Sequence, residues 1–144
     1  MNNIATFLFA ATLSVSSLAF AGGLSDADAG TYEWLNQKGA PTGVLYRLNR
    51  SSGRWVALGK LPGKEWKDIS CDRGCEYRDS TTREIQSYFP PDWLANANIA
   101  CIQNAAQAFC RFGPVKEPGK AGHVIVTLVT GKPVPILVRR VENR

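Results

Sequence analysis

Cys101-Ile102-Gln103-Asn104-Ala105-Ala106-Gln107-Ala108-Phe109-Cys110 lies inside a longer stretch, Asp92 to Phe112, in which two periods compete. Ala95, Ala97, Ala100, Ala105, Ala106 and Ala108 argue for helix. Yet Ile99, Cys101 and Gln103 alternate before the centre, and Ala108, Cys110 and Phe112 after it, as strands do. In one continuous helix, nine steps of about 1.5 Å would hold the Cα atoms of the two cysteines roughly 13 Å apart. A disulfide needs them within about 7 Å, so a bond between Cys101 and Cys110 excludes an unbroken helix. A hairpin centred on Ala105-Ala106 would instead set the cysteines directly opposite one another. Ala-Ala is a poor two-residue turn, which favours a wider loop over Asn104 to Gln107. The sequence alone leaves both forms open.

The other two cysteines, Cys71 and Cys75, bracket Gly74 in a tight-turn pattern. Four cysteines in a short exported chain read as two disulfides, with three pairings to choose from. The local pairs 71–75 and 101–110 are preferred. By loop entropy they contribute about 2 and 3 kcal/mol, against about 4 kcal/mol for a 71–110 clamp. That gap is too small to decide, and the nested pairing with 75–101 stays open.

Export is read from the start of the chain. Ile4 to Leu13 is an apolar run, and Ala19-Phe20-Ala21 has the small-x-small pattern of a cleavage site. Residues 1–21 are expected to be a signal peptide, too short in its apolar part to span a bilayer. Residues 22–144 then form one small domain, opening with a flexible leader over 22–30. No later stretch is apolar enough for a transmembrane segment. The location expected is periplasmic or secreted.

Either side of Cys71 to Cys110 the pattern is β. Thr31 to Trp34 suits a short strand. Val44, Tyr46 and Leu48 alternate with polar partners, Asn49 to Gly53 forms a loop, and Trp55 to Leu58 resumes the alternation, a hairpin signal. His123 to Thr130 is rich in β-branched residues, and Val134 to Val141 returns it. Pro135 suggests an edge position or an irregular start. Thr81-Thr82-Arg83-Glu84 is a capping box, followed by Ile85, Tyr88 and Phe89 on one helical face; Pro90-Pro91 ends that helix. The fold class is therefore α+β: mainly antiparallel β-hairpins with one or two short helices, braced by disulfides.

Catalytic chemistry finds little support. Cys-x3-Cys and Cys-x8-Cys are not zinc spacings, and redox catalysis wants Cys-x-x-Cys. The single histidine, His123, stands at a strand end with no Gly-x-Ser-x-Gly nucleophile in the chain, and reads as a surface residue. Asp68, Asp72, Glu76, Asp79, Glu84 and Asp92 offer many carboxylate pairs, and nothing selects one. No metal and no cofactor is expected.

Binding has more to work with. The chain carries 17 basic against 12 acidic residues, a net charge of +5, which favours anionic partners. The basic residues are spread singly, so nucleic acid is not expected. Four tryptophans, Trp34, Trp55, Trp66 and Trp93, are many for this length. Rings of this size fill small cores, but beside arginine and lysine they also make stacking surfaces. Arg54, Trp55, Trp66, Lys67 and Arg73 flank the Gly59–Lys64 loop and are the candidate binding residues; Trp34 ranks behind them. The expectation is a non-catalytic binding protein of the envelope, an inhibitor or immunity-type protein for an acidic protein or an anionic envelope component. The alternatives are an envelope hydrolase using a carboxylate pair and a purely structural envelope protein.

Overall fold

The computed structural model describes residues 23–69 and 76–142. The expected signal peptide, Cys71, Arg73 and Cys75 lie outside the described residues.

Nine strands form one antiparallel sheet. They are β1 (Gly30–Leu35), β2 (Pro41–Ser51), β3 (Arg54–Lys60), β4 (Lys67–Asp68), β5 (Arg78–Asp79), β6 (Ala97–Gln103), β7 (Gln107–Pro114), β8 (Gly122–Thr127) and β9 (Val134–Val141). Their spatial order is β4-β3-β2-β1-β9-β8-β7-β6-β5. Each neighbour is therefore a chain neighbour except at the centre, where β1 pairs with β9 through Thr31↔Val141 to Trp34↔Val138. Two meanders are thus zipped along their first and last strands. The hairpins expected from the sequence are present, but as parts of a single curled, half-barrel sheet.

The curl sets two apolar layers. Its inner face gathers Tyr32, Tyr46, Leu48, Ala57, Ile102, Phe109, Ile125 and Val138, all buried. Phe109 is the hub: its ring lies 4.9 Å from Tyr32, 5.5 Å from Tyr46 and 5.3 Å from His123. The alternate residues Cys101, Ala108, Cys110, Val124 and Val126 face the other way, onto Tyr88 and Phe89. Helices α1 (Thr82–Tyr88) and α2 (Pro91–Asn96) lid that second layer. A strand covered on both faces reads as a continuous apolar run, which is the pattern of residues 123–128.

Each helix starts and stops for a local reason. The Thr81 hydroxyl accepts from the Glu84 amide at 3.2 Å, and the Glu84 carboxylate accepts from the Thr81 amide at 2.8 Å. Arg78 adds two charge-assisted bonds to the same carboxylate, at 2.6 and 2.9 Å. Together, the arginine first, they lower the Glu84 carboxyl to about 2. Phe89 precedes a proline and is forced into the extended region, ending α1. Pro91 then opens α2, where a missing N–H costs nothing.

The 92–112 stretch is helix and hairpin in succession. α2 ends at Asn96, and Cys101 sits opposite Cys110 in the β6–β7 ladder. The two are disulfide-bonded, with Cα atoms 4.1 Å apart. Asn104 makes the poor Ala-Ala turn viable: its side-chain oxygen accepts from the amides of Ala106 and Gln107 at 2.9 and 3.0 Å. This is the Asx device, a side chain standing in for a backbone carbonyl.

The leader departs from the sequence reading. Residues 23–29, expected as a flexible leader, pack against the sheet: Leu24 and Asp28 are buried, and Asp26–Asp28 form a 3-10 turn. Polar composition hid a carboxylate with partners far along the chain. Pro135 stands at the start of β9 with one open side, as its position suggests: β1 reaches β9 only from Val138 onward, so there is no ladder on that side to break.

The β2–β3 turn is tighter than the expected Asn49–Gly53 loop. Ser51 pairs with Arg54, leaving Ser52-Gly53 with φ of 50° and 76°. Both central residues at positive φ mark the primed turn that matches sheet twist. Serine is costly there, and asparagine tolerates it. Ser52→Asn is expected to stabilise the protein by about 0.5–1 kcal/mol, read as a higher urea midpoint with unchanged slope.

Candidate functional site

The open side of the half-barrel lies between β4 and β5. No strand pairing closes it among the described residues. Side chains flanking the crossing do: Ile69 and Tyr77 both pack on the inner core. The Tyr77 hydroxyl lies 3.1 Å from that of Tyr46 and accepts from Gln107 Nε2 at 2.8 Å. Burial drives both phenols up from their usual range, Tyr46 furthest.

At one end of this curl the packing is incomplete. A cavity of about 570 Å³ is walled by Trp34, Val44, Tyr46, Leu61, Ile69 and Ala106. It falls within the size range of small-ligand sites. Its lining is thin where the β6–β7 turn contributes Ala106, while at Gly59 the Ile69 side chain lies where a Cβ would go. Lys60, Lys64 and Lys67 also line it, with Glu65 as the acidic side chain. Leu61 remains 59 % exposed at this end. The Trp34 indole N–H is buried without an acceptor among the described residues, and so is the Asn104 amide nitrogen in the turn that carries Ala106. Each such donor costs about 1–3 kcal/mol if left unsatisfied.

Beside the cavity lies a cationic platform. The Arg47 guanidinium stands over the Trp66 ring, 4.2 Å from its centroid, with Lys60 Nζ at 6.0 Å. Arg47 is held in place by Nε donating to Thr31 Oγ1 at 3.1 Å, and it faces Leu58 across the β2–β3 ladder. Its neighbour Leu45 faces Lys60 in the same ladder. Two-residue periodicity thus aligns an arginine and a lysine on one face.

The candidate residues named from the sequence divide between two ends of β3. Trp66 and Lys67 belong to the platform and the cavity. Trp55 stands five residues from Lys60 along the strand, about 17 Å away, half-buried on the inner core under Arg50 at 5.2 Å. Arg54 is exposed and paired with Glu76 at 2.9 Å, so that carboxylate is engaged at the surface. Arg73 lies outside the described residues. Arg47 reads from the sequence as one of several cations close to the tryptophans, behind the Arg54-Trp55 and Trp66-Lys67 pairs; Lys60 and Lys64 carry no such signal, and Trp34 ranks low. The alternation of Tyr32 and Trp34 carried the signal, since both then point into one face.

His123 is not the surface residue expected. Its ring is packed on Tyr32 and Phe109, and Nε2 lies 2.9 Å from Asp28 Oδ1. An ionised carboxylate only accepts, so Nε2 carries the proton. Burial lowers the imidazole from its usual value, with Asp28 acting in the opposite sense. Asp28 also accepts from Arg111 at 2.6 Å and from the Ser25 amide at 2.8 Å. Its acceptor capacity is spent on holding the leader, which makes this cluster a clamp.

No family model, curated protein or solved structure matches this chain. Among the described residues no three His, Cys, Asp or Glu side chains are grouped to hold a metal ion, and no helix is long and apolar enough to cross a membrane.

Proposed function

We propose that this chain is an exported, non-catalytic binding protein that takes an anionic partner on the Arg47–Trp66 platform. The carrying observation is the guanidinium stacked over Trp66 with a lysine beside it. Stacking pre-organises the cation at little entropic cost and leaves its charge accessible. Residues 60–67 add Lys64 and Lys67 and only one acid, Glu65. An inhibitor or immunity-type role against an acidic protein, or capture of an anionic envelope component, follows from that charge. A basic target is disfavoured because like charges slow encounter. The apolar run over 4–13 and the Cys101–Cys110 bond both support export, since disulfides persist in oxidising compartments.

The test is retention from an envelope extract on immobilised protein. Wild type is expected to hold a stoichiometric partner at low salt and release it as salt rises, because exposed charges are screened. Arg47→Glu is expected to lower retention by an order of magnitude or more. Equal retention by wild type and variant, or none by wild type at either salt, defeats the proposal.

A further inference from the structure

We infer that the cavity beside the platform binds the alkyl tail of an amphiphilic anion, with the headgroup among Lys60, Lys64 and Lys67. This rests on the anionic-partner reading and goes beyond it, adding a small amphiphilic ligand in the cavity next to the platform that takes the envelope partner. Three observations converge. The walls are largely apolar, and the β6–β7 turn contributes only the small Ala106 side chain to them. The charged lining is three ammonium groups against one carboxylate. The two buried groups without partners in and beside the wall, Trp34 Nε1 and Asn104 Nδ2, are both donors. Among the described residues, the buried side-chain atoms left without a partner thus call for an acceptor. A neutral hydrocarbon would supply none, and a cationic amphiphile would meet the lysines with like charge. The exposed Leu61 gives the tail a place to enter.

The source of such a chain is either a free carboxylate or the acyl chain of an anionic phospholipid, and the two are separated by experiment. Tryptophan fluorescence and calorimetric titrations would use hexanoate, octanoate and decanoate below their micelle concentrations, with decylammonium and decanol as headgroup controls. A second arm would use vesicles of phosphatidylglycerol and of phosphatidylcholine. Saturable one-to-one binding of the carboxylates is expected, tightening roughly fourfold per added methylene. Decylammonium is expected to bind at least tenfold more weakly than decanoate. If the free carboxylate is the source, decanoate saturates the site and the protein stays off phosphatidylglycerol vesicles. If the acyl chain of a lipid is the source, the protein also sediments with phosphatidylglycerol, and decanoate competes it off.

Ala106→Trp fills the cavity and is expected to abolish decanoate binding while retention of the envelope partner on the Arg47 platform persists. Absence of saturable binding by decanoate and of any vesicle preference overturns the inference. So does equal affinity for decylammonium, or undiminished decanoate binding by a folded Ala106→Trp protein. Because the headgroup and chain-length comparisons use wild-type protein, a variant that fails to fold does not rescue the idea. If envelope capture survives while decanoate fails, the inference falls and the binding function stands. If Arg47→Glu leaves envelope capture unchanged, the binding function falls, whatever decanoate does.

Discussion

Phe109→Ala is expected to destabilise the protein by about 3–5 kcal/mol. Phe109 is fully buried and its ring contacts Tyr32, Tyr46 and His123, which come from β1, β2 and β8. It therefore ties the two meanders together across the inside of the curl, at a distance that backbone pairing between β1 and β9 does not cover. Truncation removes the transfer energy of the ring and leaves a space that three aromatic neighbours, fixed by their own strands, cannot collapse into. The Cys101–Cys110 bond on the opposite face of the same hairpin does not compensate, because it joins only β6 and β7. A domain of this size has about 5–15 kcal/mol in all, so the variant sits near the limit of folding. Urea unfolding followed by tryptophan fluorescence reads the loss as a fall in midpoint. Phe109→Leu should cost markedly less, since most of the volume remains. A midpoint for Phe109→Ala within the error of wild type would mean that the curl is held elsewhere.

What the sequence disclosed was set by range. The capping box at Thr81–Glu84 is spelled within four residues, and the helix it announces is present. The Cys101/Cys110 symmetry offered a hairpin register, but the alanines kept a helix open beside it until the disulfide and the β6–β7 ladder were placed. The β2–β3 hairpin was legible from alternation and from Gly53. The joining of β1 to β9 was not, because strands separated by more than 100 residues share no local period that names one another as partners. The site suffered in the same way. Arg47 reads as one cation in an alternating strand, and Lys60 as one in a loop. Only the Arg47↔Leu58 and Leu45↔Lys60 pairings put them side by side against Trp66. Trp34 looked like core filling, and it is, on one side; that its indole N–H has no acceptor among the described residues appears only once its neighbours are placed.

Range also conceals the weight of Asp28, a residue whose local sequence reads as leader. Asp28→Ala is expected to cost about 3 kcal/mol or more, because removing one partner of a buried charge cluster strands the others. Asp28 is 2 % exposed, and its carboxylate collects the Ser25 amide, Arg111 and His123. The Tyr32 hydroxyl reinforces the site by donating to the Asp28 carbonyl at 2.6 Å, and Arg140 donates to the carbonyls of Ala27 and Ala29. Loss of the side chain should free residues 23–29, so limited proteolysis would cut there before global unfolding, whereas Phe109→Ala would open the whole sheet. The histidine adds a pH signature whose sign is fixed. Burial lowers the folded-state value of His123 below 6.5, so the unfolded chain takes up its proton first as pH falls. Stability from this group is fully present above 6.5 and declines as pH falls from there through the folded value. His123→Gln should flatten that part of the stability curve between pH 7 and 5. A wild-type curve that instead rises as pH falls through this window would show that the Asp28 attraction outweighs burial, and that the clamp tightens on protonation.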